Sequence, residues 1–576
     1  MKRGVELLLV AALVALAIWM RGDLNNSGMP THVFPRTDEV HYVHRVTDFL
    51  NGRWSLDYFI NPSGYMYPVY AATCLFGGQQ VLAGHFDSWA EFRLAATLNP
   101  YYVTMCARVV SMLAGAGAVA VLYLVGKRMF SARIGLLSAA ALAVNQTHVM
   151  RGPLAGNEET MVSLVLVFFW LAWSYVQNPT TLRHVACGLA LGVATSTKYN
   201  AGIHVVTLAA ASLIVFLRES PSWRAVVGPR YFAGFLAAPL GFALASPFAL
   251  LEHRAFWRDF QRQASYLGGY PGDERSATRG LDYYVRLFPE LNNGLPFAIV
   301  CGAALVWCLV RALRHRDERA VMLVAAVVPL YLYLGAGTFS RMRFALPAIP
   351  FVLLAGAWLL DRALGALLAR IPRAGGGVRG AVPALAGAVL LAPHAAATKA
   401  AIRADWGGVD ERKVLFEWLH ERHEVGMVYA DLVHPAVYRF YDEMRPVIRY
   451  GLSPHGRSPA DAARLERFVA QSIDVLPLTD LLPSSESLEA AVRAVREEGC
   501  RRLILGLRTD PPFRRGKRAS PDFRGMVYRL PQIYGIPAVR ECKYWEQLAG
   551  FVATMPLVGY VATQDRRFAM ALFEIE

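Results

Sequence analysis

The chain has 576 residues, 55% hydrophobic and 18% charged, with 59 basic against 44 acidic residues and a net charge of +15. An ordinary soluble domain carries about 25% charged residues, so the composition argues against a string of soluble domains. No RNA- or DNA-binding motif accompanies the arginines, so the positive balance reads as loop charge on a membrane protein rather than as a nucleic-acid footprint.

A membrane span needs roughly 20 mostly apolar residues. Such segments recur from residue 5 to about residue 397. The first, 5–20, follows Lys2 and Arg3 and has no small-residue cleavage site after it, so it reads as an uncleaved span. Residues 21–100 are mixed and aromatic, with several Pro and Gly, and read as a large loop. Spans are then expected at 101–126, 132–150, 160–177, 184–197, 201–217, 230–250, 294–313, 319–336, 344–361 and 379–397, about eleven in all. Segment 184–197 is short. It reads either as a half-helix leading to "TSTKYNAG" at membrane depth or as an arm of a tight two-helix hairpin.

The basic residues test this layout. With the N-terminus in the cytoplasm, the cytoplasmic gaps hold Lys127, Arg128 and Arg133; Arg183; Arg218, Arg224 and Arg230; Arg311, Arg314, Arg316 and Arg319; and Arg362, Arg370, Arg373 and Arg379. That is the pattern of the positive-inside rule. Loops 21–100 and 251–293, the links near 151–159, 198–200 and 337–343, and the tail from 398 then share the outer face. Two domains are expected: a transmembrane one over 1–397 and an extracytoplasmic soluble α/β one over 398–576. In the latter, "RKVLFEWLHERH" has helical spacing, "VGMVYA" reads as a strand, and "SLEAAVRAVREEG" followed by "CRRLILGL" repeats helix and strand. It shows no Gly-rich phosphate loop or nucleophile elbow. Of seven cysteines, Cys106, Cys187, Cys301 and Cys308 fall in apolar runs as small core residues. Cys500 and Cys542 could pair, but their spacing does not demand it.

Two acidic pairs fall on the outer face. Asp38-Glu39 sits among Arg36, His41, Tyr42, His44 and Arg45. Glu158-Glu159 opens an otherwise apolar run, where acids are expensive. Arg151, Lys198, Arg341 and Arg343 reach the same face. Each has a plain structural reading: a solvated loop pair for Asp38-Glu39, an interfacial ion pair for Arg151 and Glu158, headgroup snorkelling for Lys198 and Arg343. Together, carboxylates and cations at one membrane boundary suit a substrate carrying a phosphate and a group to be deprotonated.

"TDEVHY", "FINPSGYMYPVY", "CARVVSMLAGAGAVAVLYLVGKRMF", "GLALGVATSTKYNAG" and "SRMRFALPAIPFVLLAG", in this order, resemble glycosyltransferase family 39, the protein O-mannosyltransferase and aminoarabinose transferase group of the glycosyltransferase C superfamily. The resemblance covers roughly residues 1–400. It implies a polytopic α-helical enzyme that moves a hexose or pentose from a polyprenyl phosphate (dolichyl or undecaprenyl type) to a protein, lipid or glycan acceptor of the cell envelope, on the outer face of a bacterial-type inner membrane. By it, Asp38 is the general base and Glu39 positions the acceptor or orients Asp38. Glu158 or Glu159 supplies the second acidic motif, commonly a single Asp after an Arg in the family. Lys198, Arg341 and Arg343 bind the donor phosphate, and His41, Tyr42, Tyr67, Arg151 and Tyr199 are further substrate-contacting candidates. A carboxylate cluster with His41 or His44 could hold a divalent ion, yet Arg and Lys can supply the charge, so no metal is required. The rival reading is a transporter or flippase of lipid-linked sugars. Charges at the bilayer midplane and an internal repeat would favour it, and the sequence shows neither.

Overall fold

The computed structural model describes residues 3–22, 37–55, 58–98, 101–152, 154–219, 222, 226–265, 280–337, 341–370, 376–406, 428–433, 474–477, 487–497, 500–508, 547, 557–562 and 568–574. Its contacts divide the chain into two units, one of residues 1–25, 53–75 and 105–407, the other of 26–52, 76–104 and 408–576.

The first unit is helical. Among the described residues seven helices are long and apolar enough to cross a membrane: Gly4–Gly22, Tyr101–Met129, Glu158–Gln177, Tyr199–Glu219, Leu295–His315, Glu318–Ala336 and Ile349–Ala369. The expectation of about eleven is therefore met by seven, and the other four segments have physical reasons to differ. Segment 132–150 breaks into Ala132–Ala143 and Gln146–Val149, because the Asn145 side chain accepts from His148 N at 3.1 Å and starts a new helix. Segments 184–197 and 230–250 become the 17-residue helices Thr181–Thr197 and Pro229–Ala245. Segment 379–397 lies inside the helix Gly376–Trp406, which carries on through Thr398.

The two 17-residue helices pack backbone to backbone. A Cβ on Gly188 would run into the Gly234 carbonyl, one on Gly192 into the Ala238 carbonyl, and one on Gly241 into the Leu189 backbone. Small residues spaced by about one turn allow this approach, as between membrane helices generally. Lys198 ends Thr181–Thr197, and a 3-10 turn, Tyr199–His204, leads into Val205–Glu219.

Elsewhere large side chains fill the bundle. Trp358 meets Phe130 at 4.5 Å and Trp307 at 4.4 Å between ring centres. Cys187, Cys301 and Cys308 are buried within this core.

Basic helix ends are laced together. Arg128 Nε donates to Gln177 Oε1 at 2.8 Å, Arg218 pairs with Glu318 at 2.5 Å, and Arg230 pairs with Glu219 at 2.5 Å. Arg133 pairs with Asp361.

In the second unit, helix Thr37–Leu50 packs with Trp89–Leu98, and Asn51 Nδ2 donates to Thr97 Oγ1 at 2.9 Å. Phe76, Phe86, Phe92 and Tyr102 form an aromatic cluster there. Toward the C-terminus lie five strands: β1 Val428–Val433, β2 Asp474–Pro477, β3 Cys500–Arg508, β4 Leu557–Ala562 and β5 Phe568–Glu574. They form one sheet in the order β2-β1-β3-β5-β4. β1 is parallel to β2 and β3, while β5 is antiparallel to β3 and β4. Helix Leu488–Glu497 makes the connection from β2 to β3. The helix expected over "RKVLFEWLHERH" lies outside the described residues, as do Cys500's proposed partner Cys542 and its surroundings.

Candidate active site

Within the first unit, the start of Glu158–Gln177 meets the end of Thr181–Thr197. Asn157 does not cap its helix with its side chain. Its Nδ2 donates instead to the Thr197 carbonyl at 2.6 Å, tying the two helix ends together. Lys198 follows Thr197, and its Nζ donates to Glu158 Oε1 at 2.8 Å. Arg343, from the 3-10 turn Met342–Ala345, brings Nη1 to 3.8 Å of the same oxygen. Arg151 adds a third positive charge to the field at this carboxylate. The Lys198 and Arg343 cations lie 5.9 and 5.8 Å from the Phe344 ring, within cation–π range. Among the described contacts one acid thus faces two or three cations.

Glu159 has different surroundings, because the next residue on a helix points about 100° away. Arg21, His148 and Glu159 are all buried. Arg21 Nη2 lies 2.5 Å from His148 Nδ1, and His148 Nε2 lies 3.0 Å from Glu159 Oε2. Guanidinium cannot accept, so Nδ1 accepts and the proton sits on Nε2, facing Glu159. Arg21 Nη1 also donates to the Ala17 carbonyl at 2.8 Å. Gly115 and Gly152 leave the room this network needs: a Cβ on Gly115 would strike Glu159 and Arg21, and one on Gly152 would strike Arg21.

Beside the Glu158 cluster is a cavity of about 200 Å³, its lining including Lys198, Tyr199, Asn200, Asn61, Gln263 and Phe344. The Tyr199 hydroxyl donates to the Phe59 carbonyl at 2.6 Å, and the Phe59 N–H donates to Asp259 Oδ2 at 2.7 Å. These bonds join the 3-10 turn, the 59–61 segment and helix His253–Ser265 around the space.

The structure thus brings Glu158, Lys198, Arg343 and Arg151 together, with Tyr199 on the adjoining cavity. Arg341 is exposed, and its carbonyl accepts from the Tyr284 hydroxyl at 2.9 Å. Tyr67 is half-buried, and burial pushes its phenol above the ordinary range.

Glu39, His41 and Tyr42 lie on helix Thr37–Leu50 in the second unit, where Glu39 and Tyr42 are buried. The Asp38 backbone begins that helix, and its side chain lies outside the described residues. Among the described residues no group of three or more His, Cys, Asp or Glu is placed to hold a metal ion.

Buried ionisable residues that escaped the sequence reading include Arg21, His148 and Arg108. Each interrupts or ends an apolar run. That was the available signal, since ionisable groups at membrane depth default to a functional or paired role.

Comparison with known proteins fits this architecture. Residues 102–251 match the family model described as dolichyl-phosphate-mannose-protein mannosyltransferase. No curated relative matches the sequence. Among solved structures, ArnT from Cupriavidus metallidurans in the apo state is 14% identical, with a TM-score of 0.55 over 99% of this chain and 98% of that one. The same protein bound to undecaprenyl phosphate is 13% identical, with a TM-score of 0.52 over the same shares. The oligosaccharyltransferase AglB from Archaeoglobus fulgidus, in complex with an inhibitory peptide and a dolichol-phosphate, is 11% identical, with a TM-score of 0.53 over 88% of this chain and 69% of that one. The chain shares its overall fold with these proteins. The likeness to the mannosyltransferase family thus lies in residues 102–251, and the likeness to ArnT and AglB lies in the fold.

Proposed function

We propose that the chain transfers a sugar from a polyprenyl phosphate to a protein, lipid or glycan acceptor on the outer face of the membrane. The reading is carried by the convergence of Lys198 and Arg343 on Glu158 beside the cavity. Solved neighbours bound to undecaprenyl phosphate or dolichol-phosphate support this donor class.

Asp38 takes a proton from an acceptor hydroxyl or amine, with Glu39 positioning the acceptor. The freed lone pair attacks the anomeric carbon from the face opposite the phosphate, and the bond from that carbon to the phosphate oxygen breaks with inversion. The phosphate gains a negative charge as it departs. Lys198 and Arg343 meet that growing charge, with Arg341 as a further cation, so they stabilise the transition state more than the bound donor. Glu158 holds the two cations in place before the donor arrives. Residues 1–397 carry the chemistry and the tail from 398 stands on the same outer face.

The test uses the purified full chain with a polyprenyl-phosphate hexose and a hydroxyl acceptor. A positioned base typically supplies about 10²–10⁴-fold, so Asp38→Asn should cut turnover by that order while donor affinity holds. Lys198→Gln and Arg343→Gln should weaken donor binding and slow turnover. Wild-type turnover in Asp38→Asn removes the base from the mechanism. Unchanged donor affinity in both cation variants removes the phosphate clamp.

A further inference from the structure

The cavity carries a chemistry that the phosphate cluster does not use. Three carboxamides line it, Asn61, Asn200 and Gln263, and its other walls include the aromatic rings of Phe260, Tyr333 and Phe344. Both polar atoms of the Asn200 amide are shielded from solvent, and no hydrogen bond reaches either one in the described structure. Buried polar side chains nearly always have a partner, so an unpartnered amide beside a cavity points to a ligand group that completes it. The terminal torsion of Asn is soft, and a modest turn presents the amide to the space.

The three carboxamides come from separate segments, and two hydrogen bonds fix those segments together through Phe59: its N–H to Asp259 and its carbonyl from Tyr199. A site held this way keeps its geometry without the ligand. At about 200 Å³ the space falls below the roughly 300–1,000 Å³ of pockets that enclose drug-sized ligands. It has room for one sugar ring and not for a prenyl chain.

Resting on the donor reading above, the geometry points to this cavity as the seat of the donor's sugar and to that sugar as neutral and hydroxyl-rich. A hydroxyl both donates and accepts, as does a carboxamide, whereas an ammonium only donates and calls for carboxylates. Among the described residues the cavity lining holds no carboxylate. Two acids on the adjoining elements are engaged elsewhere, Asp259 by Phe59 and Arg258, and Glu158 by Lys198 and Arg343. Lys198, the lining cation among the described residues, faces the phosphate in this reading and is not left over for a uronate. Asn200 and Gln263 are then specificity residues, with the aromatic rings contacting the apolar face of the sugar.

The experiment titrates the detergent-solubilised full chain with three probes: undecaprenyl phosphate, its hexose conjugate and its amino-pentose conjugate. The wild type should bind the hexose conjugate more tightly than the bare lipid, and the amino-pentose conjugate less tightly than the hexose one. Asn200→Ala and Gln263→Ala should each weaken the hexose conjugate about tenfold and leave the bare lipid unchanged, the loss expected for one hydrogen bond of ordinary strength. Bare-lipid affinity doubles as the check on folding. Gln263→Glu keeps the side-chain size, carries the test where an alanine variant does not fold, and should shift preference towards the amino-pentose conjugate. A wild type that prefers the amino-pentose, or variants that keep the full hexose increment, overturns the inference and leaves the donor class standing. A wild type that binds none of the three lipids overturns the donor reading itself and this inference with it.

Discussion

Glu158 and Glu159 are adjacent, yet one faces cations beside a cavity and the other closes a buried chain from Arg21 through His148. The sequence shows both acids at the start of an apolar run and so marks the place, but it cannot divide their roles. The partners explain why. His148 and Arg21 stand 127 positions apart, and only the packed bundle brings them together. Arg21 read alone is an ordinary charge at the end of a span. The buried network makes a stability prediction. Removing one member of a buried charged set leaves the other uncompensated and costs about 3–5 kcal/mol, whereas replacing the pair by neutral groups of similar size is often close to neutral. Glu159→Gln should therefore lower the thermal midpoint of the purified chain sharply. Arg21→Met combined with Glu159→Gln should recover most of that loss. A double variant as unstable as the sum of its single changes would show that the two side chains do not act as a pair.

At the scale of elements, apolar run length found the seven long helices, each apolar over a stretch long enough to cross a membrane. The remaining four segments fold as shorter or broken helices or inside a longer one. A 17-residue helix is about 25 Å long, under the roughly 30 Å hydrocarbon thickness, and such helices rely on protein neighbours. The glycines of "GLALG" carry that information, though their partners on Pro229–Ala245 cannot be read from spacing alone. Of the two readings of 184–197, the structure has a helix paired closely with Pro229–Ala245 that also ends at Lys198, beside the cavity. Gly192→Val tests the contact. Its side chain meets the Ala238 carbonyl and the Phe242 backbone, which cannot swing aside as a side chain would. Overpacking costs about 1–3 kcal/mol even where neighbours yield, and the loss here should reach the top of that range or beyond. Gly117→Val is the control, since a Cβ there meets nothing within 4 Å. Equal thermal midpoints for the two variants would mean that the close helix pair is not needed for stability.

The helices of the first unit are polar along their length. Helix Glu158–Gln177 starts at the Glu158 cluster and ends at Gln177, which accepts from Arg128 at the end of Tyr101–Met129. Helix Thr181–Thr197 starts near Arg183 and ends at Lys198, and Glu318–Ala336 starts where Glu318 pairs with Arg218 and runs towards Arg341 and Arg343. The laced basic ends and the Glu158 cluster thus lie at opposite ends of the same helices. Basic loops are retained in the cytoplasm during insertion, so the end with Lys127, Arg128, Arg218 and Arg311 is expected inside, and the end with Glu158, Lys198 and Arg343 outside. The helix Gly376–Trp406 begins after the basic group at Arg370 and Arg373 and leads into the tail, so the tail is expected outside as well. Alkaline phosphatase fused after Glu576, active only beyond the cytoplasm, should be active in a bacterial host, while a fluorescent protein at the same place stays dark. A second phosphatase fusion within 311–319 should be inactive. The reverse result at both positions would turn the bundle over, put the Glu158 cluster on the cytoplasmic side, and sink transfer on the outer face even with every residue-level contact intact.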